Sequence, residues 1–323
     1  RCCTVARAPG PTRGGASAQP SPASASAIEN PCGTAPGIRA RLCEADVFCL
    51  PGVPDEMKAM FDRDVLPVVR IQAGGRVVRQ RLLRCVGLGE SDLGEKIVDL
   101  MARGRNPEVG TTASSGEIGI RINAVAESVA AADRMLDETE RELAGRLGSV
   151  IYGRDADTLA GVVLRLLRGA GATLATAESC TGGWIGKLLT DCPGSSTAYR
   201  GGVVAYSNDL KTGLLGVPAE MLAQDGAVSA SVAQAMAIGV RERCGADIGV
   251  SVTGIAGPGG GSAEKPVGLV YIGVARADSV EAREYRFGAD MPRTAIRLRA
   301  ARTALNRVRL LLVEEESSFD GRP

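Results

Sequence analysis

Residues 173–183 read Thr-Leu-Ala-Thr-Ala-Glu-Ser-Cys-Thr-Gly-Gly, so that small and β-branched residues lead into a serine and two glycines. Such a run is typical of a buried strand, and the glycines predict a loop that enters a helix. A second run, residues 248–252, leads in the same way into Thr253-Gly254-Ile255-Ala256-Gly257-Pro258-Gly259-Gly260-Gly261. We therefore predict two loops at strand ends, one presenting Ser179 and one rich in glycine.

Strands and helices alternate around these loops. Ser231 and Gln234 have the spacing of a capping box, which predicts that a helix begins there. Strands are predicted at 173–177, 202–206, 248–252 and 269–275, and helices at 159–169, 184–189, 209–215, 231–243 and from 292 onwards. This alternation indicates an α/β domain of three layers, α/β/α, with a mostly parallel sheet. Ligands of such sheets bind beyond the carboxyl ends of the strands, where Ser179, Tyr206 and Thr253 fall.

The chain before this domain is predicted to have a different organisation. Strands at 82–86 and 118–124 alternate with helices at 92–101 and 125–147, which indicates a small α+β domain, and 148–153 is predicted to be a linker. Residues 28–70 are too few for an independent core and are predicted to be the end of a further α/β domain. The predicted division is 1–27, 28–70, 71–150 and 151–316.

The first 27 residues contain no acidic residue, and residue 1 is Arg. A disordered tail, a leader resembling a transit peptide and a truncated gene product are the alternatives for this segment. The absence of an initial Met favours truncation.

The composition excludes several classes of function. The chain contains no histidine, which excludes a Ser-His-Asp triad, a Cys-His pair and an HExxH zinc site. Its 38 Lys and Arg nearly balance 37 Asp and Glu, so no overall field favours nucleic acid or a membrane surface. The nine cysteines have no metal-binding spacing and predict reduced thiols in the cytoplasm. No apolar run approaches the roughly 20 residues of a membrane-spanning helix.

A serine at a strand end, facing a glycine-rich loop, favours a nucleophile beside backbone N–H donors. The segment Tyr206-Ser207-Asn208-Asp209-Leu210-Lys211 can supply a phenol and an amine at the neighbouring strand end. A partly desolvated Lys211 could take the serine proton, with Tyr206 as its partner. The alternatives are a helix N-cap for Ser179, a solvated surface lysine and a core tyrosine ring. Cys180 is a rival nucleophile, ranked lower because no imidazole is present to form its thiolate.

The glycine-rich loop can direct backbone N–H groups at an anion. It matches neither the Walker pattern nor the dinucleotide fingerprint, so nucleoside triphosphate and NAD sites are excluded. Thr181 and Gly182 could form a further anion site at the start of the next helix, and Arg293 could bind a phosphate. A solvated arginine is the alternative for Arg293.

These motifs resemble those of the CinA family, also called competence/damage-inducible protein A. The resemblance covers most of residues 154–312 and includes 177–183, 201–208 with Lys211, 226–229, 246–261 and 264–268. It implies that the carboxyl-terminal domain is an amidohydrolase that converts nicotinamide mononucleotide and water to nicotinic acid mononucleotide and ammonia, without a metal or other cofactor.

The resemblance also implies roles for individual residues. Ser179 matches the family's active-site serine, Tyr206 and Lys211 match its tyrosine and lysine, and Arg293 matches its phosphate-contacting arginine. The implied substrate-binding residues are Thr181, Gly182, Thr253, Gly254, Ala256, Gly257 and Arg293.

Upstream segments have counterparts in the same family. Residues 30–37 and 50–57 resemble the end of its molybdopterin-binding-like domain, and 81–148 resemble its KH-like middle domain. The front of the former domain, linked in longer relatives with ADP-ribose pyrophosphatase activity, is missing from the sequence, so that activity is predicted to be absent. The family implies a cytoplasmic homodimer with a nucleotide substrate and with no membrane or nucleic-acid partner. The alternatives are a non-catalytic nucleotide-binding or competence-linked interaction protein, or an inactive remnant of a bifunctional enzyme.

Overall fold

The computed structural model describes residues 25–114 and 116–319, with side chains as far as Glu314. The predictions for residues 1–24 therefore lie outside the described residues. The chain divides into two compact units, Arg1–Arg76 and Val77–Pro323.

The described part of the first unit contains a small antiparallel sheet of order β1-β2-β3, followed by helices. Its elements are β1 (Ala25–Ile28), β2 (Gly37–Leu42), β3 (Ala45–Cys49), α1 (Pro54–Met60), a π-helical turn (Phe61–Val65) and α2 (Leu66–Gln72). β1 and β2 could not be predicted from the sequence, because these strands are largely exposed and carry no apolar run. Asn30 Nδ2 donates to Glu56 Oε2 at 2.7 Å, which joins the segment at 30–37 to the segment at 50–57.

The second unit begins with the predicted α+β domain. Its strands are β4 (Val77–Val86), β5 (Glu108–Ser114), β6 (Glu117–Ala126) and β7 (Ile151–Arg154), and its helices are α3 (Glu90–Ile97) and α4 (Val129–Leu147). These strands form an antiparallel sheet of order β5-β6-β4-β7. The prediction of a linker at 148–153 was wrong, because Tyr152 is buried and β7 pairs with β4. The flanking glycines concealed this short strand.

The rest of the second unit is an α/β domain. Its strands are β8 (Leu174–Glu178), β9 (Tyr199–Val204), β10 (Ile248–Gly254), β11 (Leu269–Ala275) and β12 (Val280–Arg286). Its helices are α5 (Leu159–Gly169), α6 (Trp184–Thr190), α7 (Asn208–Leu215), α8 (Ala219–Asp225), α9 (Ala230–Cys244) and α10 (Arg293–Phe319).

The strand order within the described residues is β12-β11-β10-β8-β9. β10, β8 and β9 are parallel, whereas β11 and β12 are antiparallel additions. One face of the sheet packs against α5, α6 and α10, and the other against α7, α8 and α9. The predicted three-layer α/β/α class is confirmed, although the charged edge strand β12 was not predicted.

The start of α9 differs from the predicted capping box. Ser229 is the N-cap, and its Oγ accepts from the N–H of Val232 at 3.4 Å. Ser231 instead donates its hydroxyl to the Asp225 carboxylate. Two serines near one helix start made the sequence pattern ambiguous.

Polar contacts from α10 connect the α/β domain to the α+β domain. Arg302 Nη2 lies 2.8 Å from Glu117 Oε2, and the Tyr152 hydroxyl donates to Glu117 Oε1 at 3.1 Å. Farther along the helix, Arg309 Nη2 donates to the Ser149 carbonyl at 2.5 Å. The helix α10, whose first turn carries Arg293, is therefore held farther along its length by the α+β domain.

Two glycines allow α9 to pack with its backbone almost against its neighbours. A Cβ at Gly239 would lie 1.9 Å from the Leu215 carbonyl oxygen, and a Cβ at Gly273 would lie 2.4 Å from the Ala233 carbonyl oxygen. Real Cβ atoms do not approach backbone oxygens this closely, so a larger residue at either position must displace the helix.

We expect Gly239→Ala to lower the free energy of unfolding by about 1–3 kcal/mol, because the added methyl group overlaps the end of α7. The matched control is Gly213→Ala in α7, where the new Cβ has nothing within 4 Å. This control should raise the free energy of unfolding by about 0.5–1 kcal/mol, because alanine favours a helix. Urea denaturation of both variants measures the difference; equal midpoints would contradict the close packing.

Candidate active site

Ser179 lies directly after the central strand of the parallel group. Glu178, the last residue of β8, is paired with Val252 of β10 and Val204 of β9. Ser179 N–H donates to the Val252 carbonyl at 2.9 Å, which holds the serine backbone against β10. Its side chain is nearly buried, and no described residue makes a hydrogen bond to its Oγ. The N-cap alternative is wrong, because Gly183, with a φ of 89°, precedes α6.

Glu178 has a role that the sequence did not reveal. Its buried carboxylate accepts from the N–H groups of Ile185 at 3.1 Å and Gly186 at 2.9 Å. These N–H groups belong to the first turn of α6, where carboxylates are stabilised by unpaired donors and the helix dipole. The turn at residues 179–183, which we call the nucleophile turn, is therefore fixed at both ends. A glutamate directly before the serine was the only signal in the sequence.

Lys211 is one of the most completely buried side chains in the described residues, at 1% exposure. Its Nζ donates to the carbonyl oxygens of Ala205 at 3.0 Å and Tyr206 at 3.3 Å. Burial lowers the pKa of this amine below its ordinary value, and this effect exceeds the opposing electrostatic effect of Cys180. The alternative of a solvated surface lysine is therefore wrong.

The amine lies close to the nucleophile turn but is not hydrogen-bonded to the serine. Ala205 N–H donates to the carbonyl of Glu178, the last residue of β8, at 2.9 Å. The Ala205 carbonyl, in turn, accepts from Lys211, so the amine is held by a residue that is paired with the end of β8. Among the described residues, no hydrogen bond joins Lys211 Nζ to Ser179 Oγ.

Tyr206 is 60% exposed, so the alternative of a core ring is wrong. Its hydroxyl oxygen accepts from Arg293 Nη2 at 3.1 Å, and Arg293 Nη1 donates to the Gly257 carbonyl at 2.6 Å. Arg293 therefore links the tyrosine to the glycine-rich loop. An exposed guanidinium and a phenol lie together at the edge of the site.

The other predicted binding residues differ in their access to solvent. Thr181 is fully buried, and its hydroxyl has no hydrogen-bond partner among the described residues. Thr253 is also enclosed, and its hydroxyl donates to the Ala227 carbonyl at 2.7 Å. Gly182 is exposed, and Gly254 is partly exposed at the end of β10. Ala256 and Gly257 are buried in the glycine-rich loop, where Gly257 has a φ of 72°.

The rival nucleophile Cys180 is poorly suited to the chemistry. Its side chain packs into the apolar core, and burial raises the pKa of its thiol to about 12. A thiolate, which is the reactive form of cysteine, is therefore strongly disfavoured near neutral pH.

Arg297 is a contact residue that the sequence did not single out. Its Nε donates to the Cys180 carbonyl at 3.0 Å and its Nη2 donates to the Thr181 carbonyl at 2.8 Å. The guanidinium also stacks on Trp184, with 5.1 Å between the guanidinium carbon and the ring centre. It lies one helical turn after Arg293, and that spacing was the available signal.

Within residues 25–114 and 116–319, no helix is both long and apolar enough to cross a membrane. Nor does that part of the chain contain a group of three or more His, Cys, Asp and Glu side chains that could hold a metal ion.

Comparison with known proteins gives the same family for both parts of the second unit. Residues 156–312 match the CinA C-terminal domain, and residues 80–153 match the KH domain of damage-inducible protein CinA. The crystal structure of the competence/damage inducible protein CihA from Agrobacterium tumefaciens is 46% identical; the match covers 48% of this chain and 93% of that chain, with a TM-score of 0.46.

Relatives of greater length extend the match over most of the chain. The CinA-like protein of Parasynechococcus marenigrum is 46% identical over 296 residues, which are 91% of this chain and 70% of that protein. The CinA-like protein of Thermosynechococcus vestitus is 46% identical over 295 residues, with 90% and 71% covered. The chain belongs to the CinA family.

Proposed function

We propose that this protein is an amidohydrolase that converts nicotinamide mononucleotide and water to nicotinic acid mononucleotide and ammonia. The observation that supports it best is the placement of Ser179, at the end of β8, beside the neighbouring strand end whose carbonyl groups hold a buried lysine of lowered pKa. The family resemblance supplies the substrate, and also supports a cytoplasmic homodimer.

The hydrogen bonds of Lys211 suit a neutral amine. A neutral –NH₂ group has two N–H donors and one lone pair, whereas the ammonium form has three donors. Two carbonyls, of Ala205 and Tyr206, accept from Nζ, so the donors of the neutral form are both satisfied. The lone pair remains free to accept a proton, which is the property that a general base needs.

In the proposed reaction, Lys211 takes the hydroxyl proton of Ser179, directly or through Tyr206, as Oγ attacks the carboxamide carbon. The tetrahedral intermediate places negative charge on the former carbonyl oxygen, where backbone N–H groups stabilise it. The protonated amine then gives its proton to the leaving –NH₂ group, and ammonia departs. Water, deprotonated by the same amine, hydrolyses the acyl-enzyme and restores the serine.

Binding of the nucleotide phosphate is assigned to the glycine-rich loop and Arg293. Backbone N–H groups of such loops bind anions, and a guanidinium can donate two hydrogen bonds to one phosphate. Arg293 is exposed and already lies against Gly257, which puts a cation at the edge of this loop. The remote phosphate would thereby anchor the substrate while the carboxamide reaches Ser179.

Substitution of the nucleophile gives the first test. We expect Ser179→Ala to lower kcat for ammonia release from nicotinamide mononucleotide by at least about a thousandfold, because loss of a nucleophile removes the covalent route. Cys180→Ala is the matched control, and its activity should stay within tenfold of the original because this thiol is buried and protonated. A kcat of Ser179→Ala within tenfold of that of the unsubstituted protein would exclude the serine mechanism.

The pH dependence tests the base. Because burial lowers the Lys211 pKa, more of the amine is neutral at a given pH than for an exposed lysine. We expect kcat/KM to rise with pH and to level off with a midpoint below about 10.4, the ordinary lysine pKa. Lys211→Met should abolish this ascending limb and most of the activity. Lys187→Met, at an exposed lysine of α6, should leave the profile unchanged; an unchanged profile in Lys211→Met would remove the lysine from the mechanism.

A further inference from the structure

The three carbonyl groups at the start of the nucleophile turn all accept hydrogen bonds. The Ser179 carbonyl accepts from Gly182 N–H at 3.1 Å. The next two carbonyls, of Cys180 and Thr181, accept from Nε and Nη2 of Arg297. All three carbonyl groups are therefore held by hydrogen bonds, and Arg297 of α10 holds two of them.

These contacts form a chain of hydrogen bonds through two peptide groups. Arg297 Nη2 donates to the Thr181 carbonyl, whose peptide group carries the Gly182 N–H. That N–H donates to the Ser179 carbonyl, whose peptide group carries the Cys180 N–H. In a trans peptide the C=O and the N–H point in opposite directions, so each bond in the chain fixes the direction of the next N–H.

The chain ends on the N–H of Cys180, which meets the sulfur of its own side chain. Within residues 25–114 and 116–319, no other residue accepts a hydrogen bond from this N–H. Thr181 also has an unpartnered N–H, but this residue has no exposed surface. Cys180 directly follows the serine, and the N–H after a nucleophile is a common donor to the oxyanion of acyl transfer.

We propose that Arg297 is a positioning residue that orients and polarises the Cys180 N–H as an oxyanion donor, acting through the peptide groups of Thr181–Gly182 and Ser179–Cys180. A hydrogen bond from a cation strengthens the next bond in the chain, because each peptide group is polarised by the one before it. This inference rests on the proposed serine mechanism, and it deepens that proposal by naming what prepares the oxyanion site. In this proposal Arg297 acts without touching the substrate.

A second arginine of α10 provides a close control. Arg299 lies two residues later and stacks on Phe287 at 5.4 Å, much as Arg297 stacks on Trp184. Arg299 donates to the sulfur of Met291 and, within the described residues, makes no hydrogen bond to the nucleophile turn. Replacing Arg299 removes one positive charge and one stacked guanidinium from the same helix. The chain of hydrogen bonds from Arg297 to the Cys180 N–H stays intact.

The experiment compares Arg297→Gln, Arg297→Ala and Arg299→Gln in the full chain, with nicotinamide mononucleotide as substrate. Removal of an oxyanion donor typically costs about 10²–10³ in kcat, and its misorientation should cost at least about tenfold. We expect Arg297→Gln to lower kcat by that factor with KM within about threefold, because the effect lies in the transition state. Arg299→Gln should change neither constant. Added guanidinium ion should restore part of kcat in Arg297→Ala, which a merely misfolded protein would not show.

A second readout does not depend on the amide substrate. Phenylmethanesulfonyl fluoride labels reactive serines, and its transition state also develops charge on oxygen. We expect labelling of Ser179, followed by mass spectrometry, to be at least about tenfold slower in Arg297→Gln than in Arg299→Gln. Equal labelling rates, or a kcat of Arg297→Gln within threefold of the unchanged protein, would overturn the inference. An unchanged protein that is labelled at Ser179 but releases no ammonia would contradict the proposed substrate and leave the role of Arg297 standing.

Discussion

The end of β8 is the constraint on which the site depends. Because β8 lies between β10 and β9, its last residue, Glu178, is enclosed on both sides and can satisfy its carboxylate only within the protein. The first turn of α6 supplies the two N–H donors. A buried carboxylate without such donors would cost several kcal/mol, so this contact fixes where the helix begins relative to the strand. Ser179 follows directly in the sequence, so its position is fixed by the same contact.

The absence of histidine determines what kind of base can serve this serine. Lys211 is an unusual residue to find in an interior, because burial of an ammonium is expensive unless the group is paired or neutral. It has two carbonyl acceptors and, among the described residues, no carboxylate salt bridge. These surroundings are consistent with the lowered pKa and explain why the same side chain is both a buried element of the fold and the candidate base. The other positive charges described at the site are on Arg293 and Arg297, which donate hydrogen bonds to loop carbonyls.

Much of the fold could be predicted from local pattern. The limits of β11 were predicted to the residue, and those of β8, β9, β10 and most helices of the α/β domain to within a few residues, because apolar runs and glycine stops are strong signals there. The short helix α8 was not predicted. The edge strands β5, β7 and β12 were not predicted, since their polar or short sequences carry no core pattern. For the site, the order of the predicted strands correctly placed Ser179, Tyr206 and Lys211 near neighbouring strand ends. It could not show the roles of Glu178 and Arg297, because both act through backbone groups that only the folded chain brings together.

The most direct test of the central claim, a neutral amine beside Ser179, is an NMR titration of Lys211 through ¹³C-labelled lysine side chains. The chain has few lysines, at positions 58, 96, 187, 211 and 265, and Lys211→Arg identifies the signal of interest. The account predicts that the Lys211 signal titrates at a lower pH than those of the exposed lysines, and that its pKa moves when sulfonylation of Ser179 changes its surroundings. The claim would be contradicted by a Lys211 signal that titrates at the same pH as the exposed lysines, or at a higher pH, and that does not shift when Ser179 is sulfonylated.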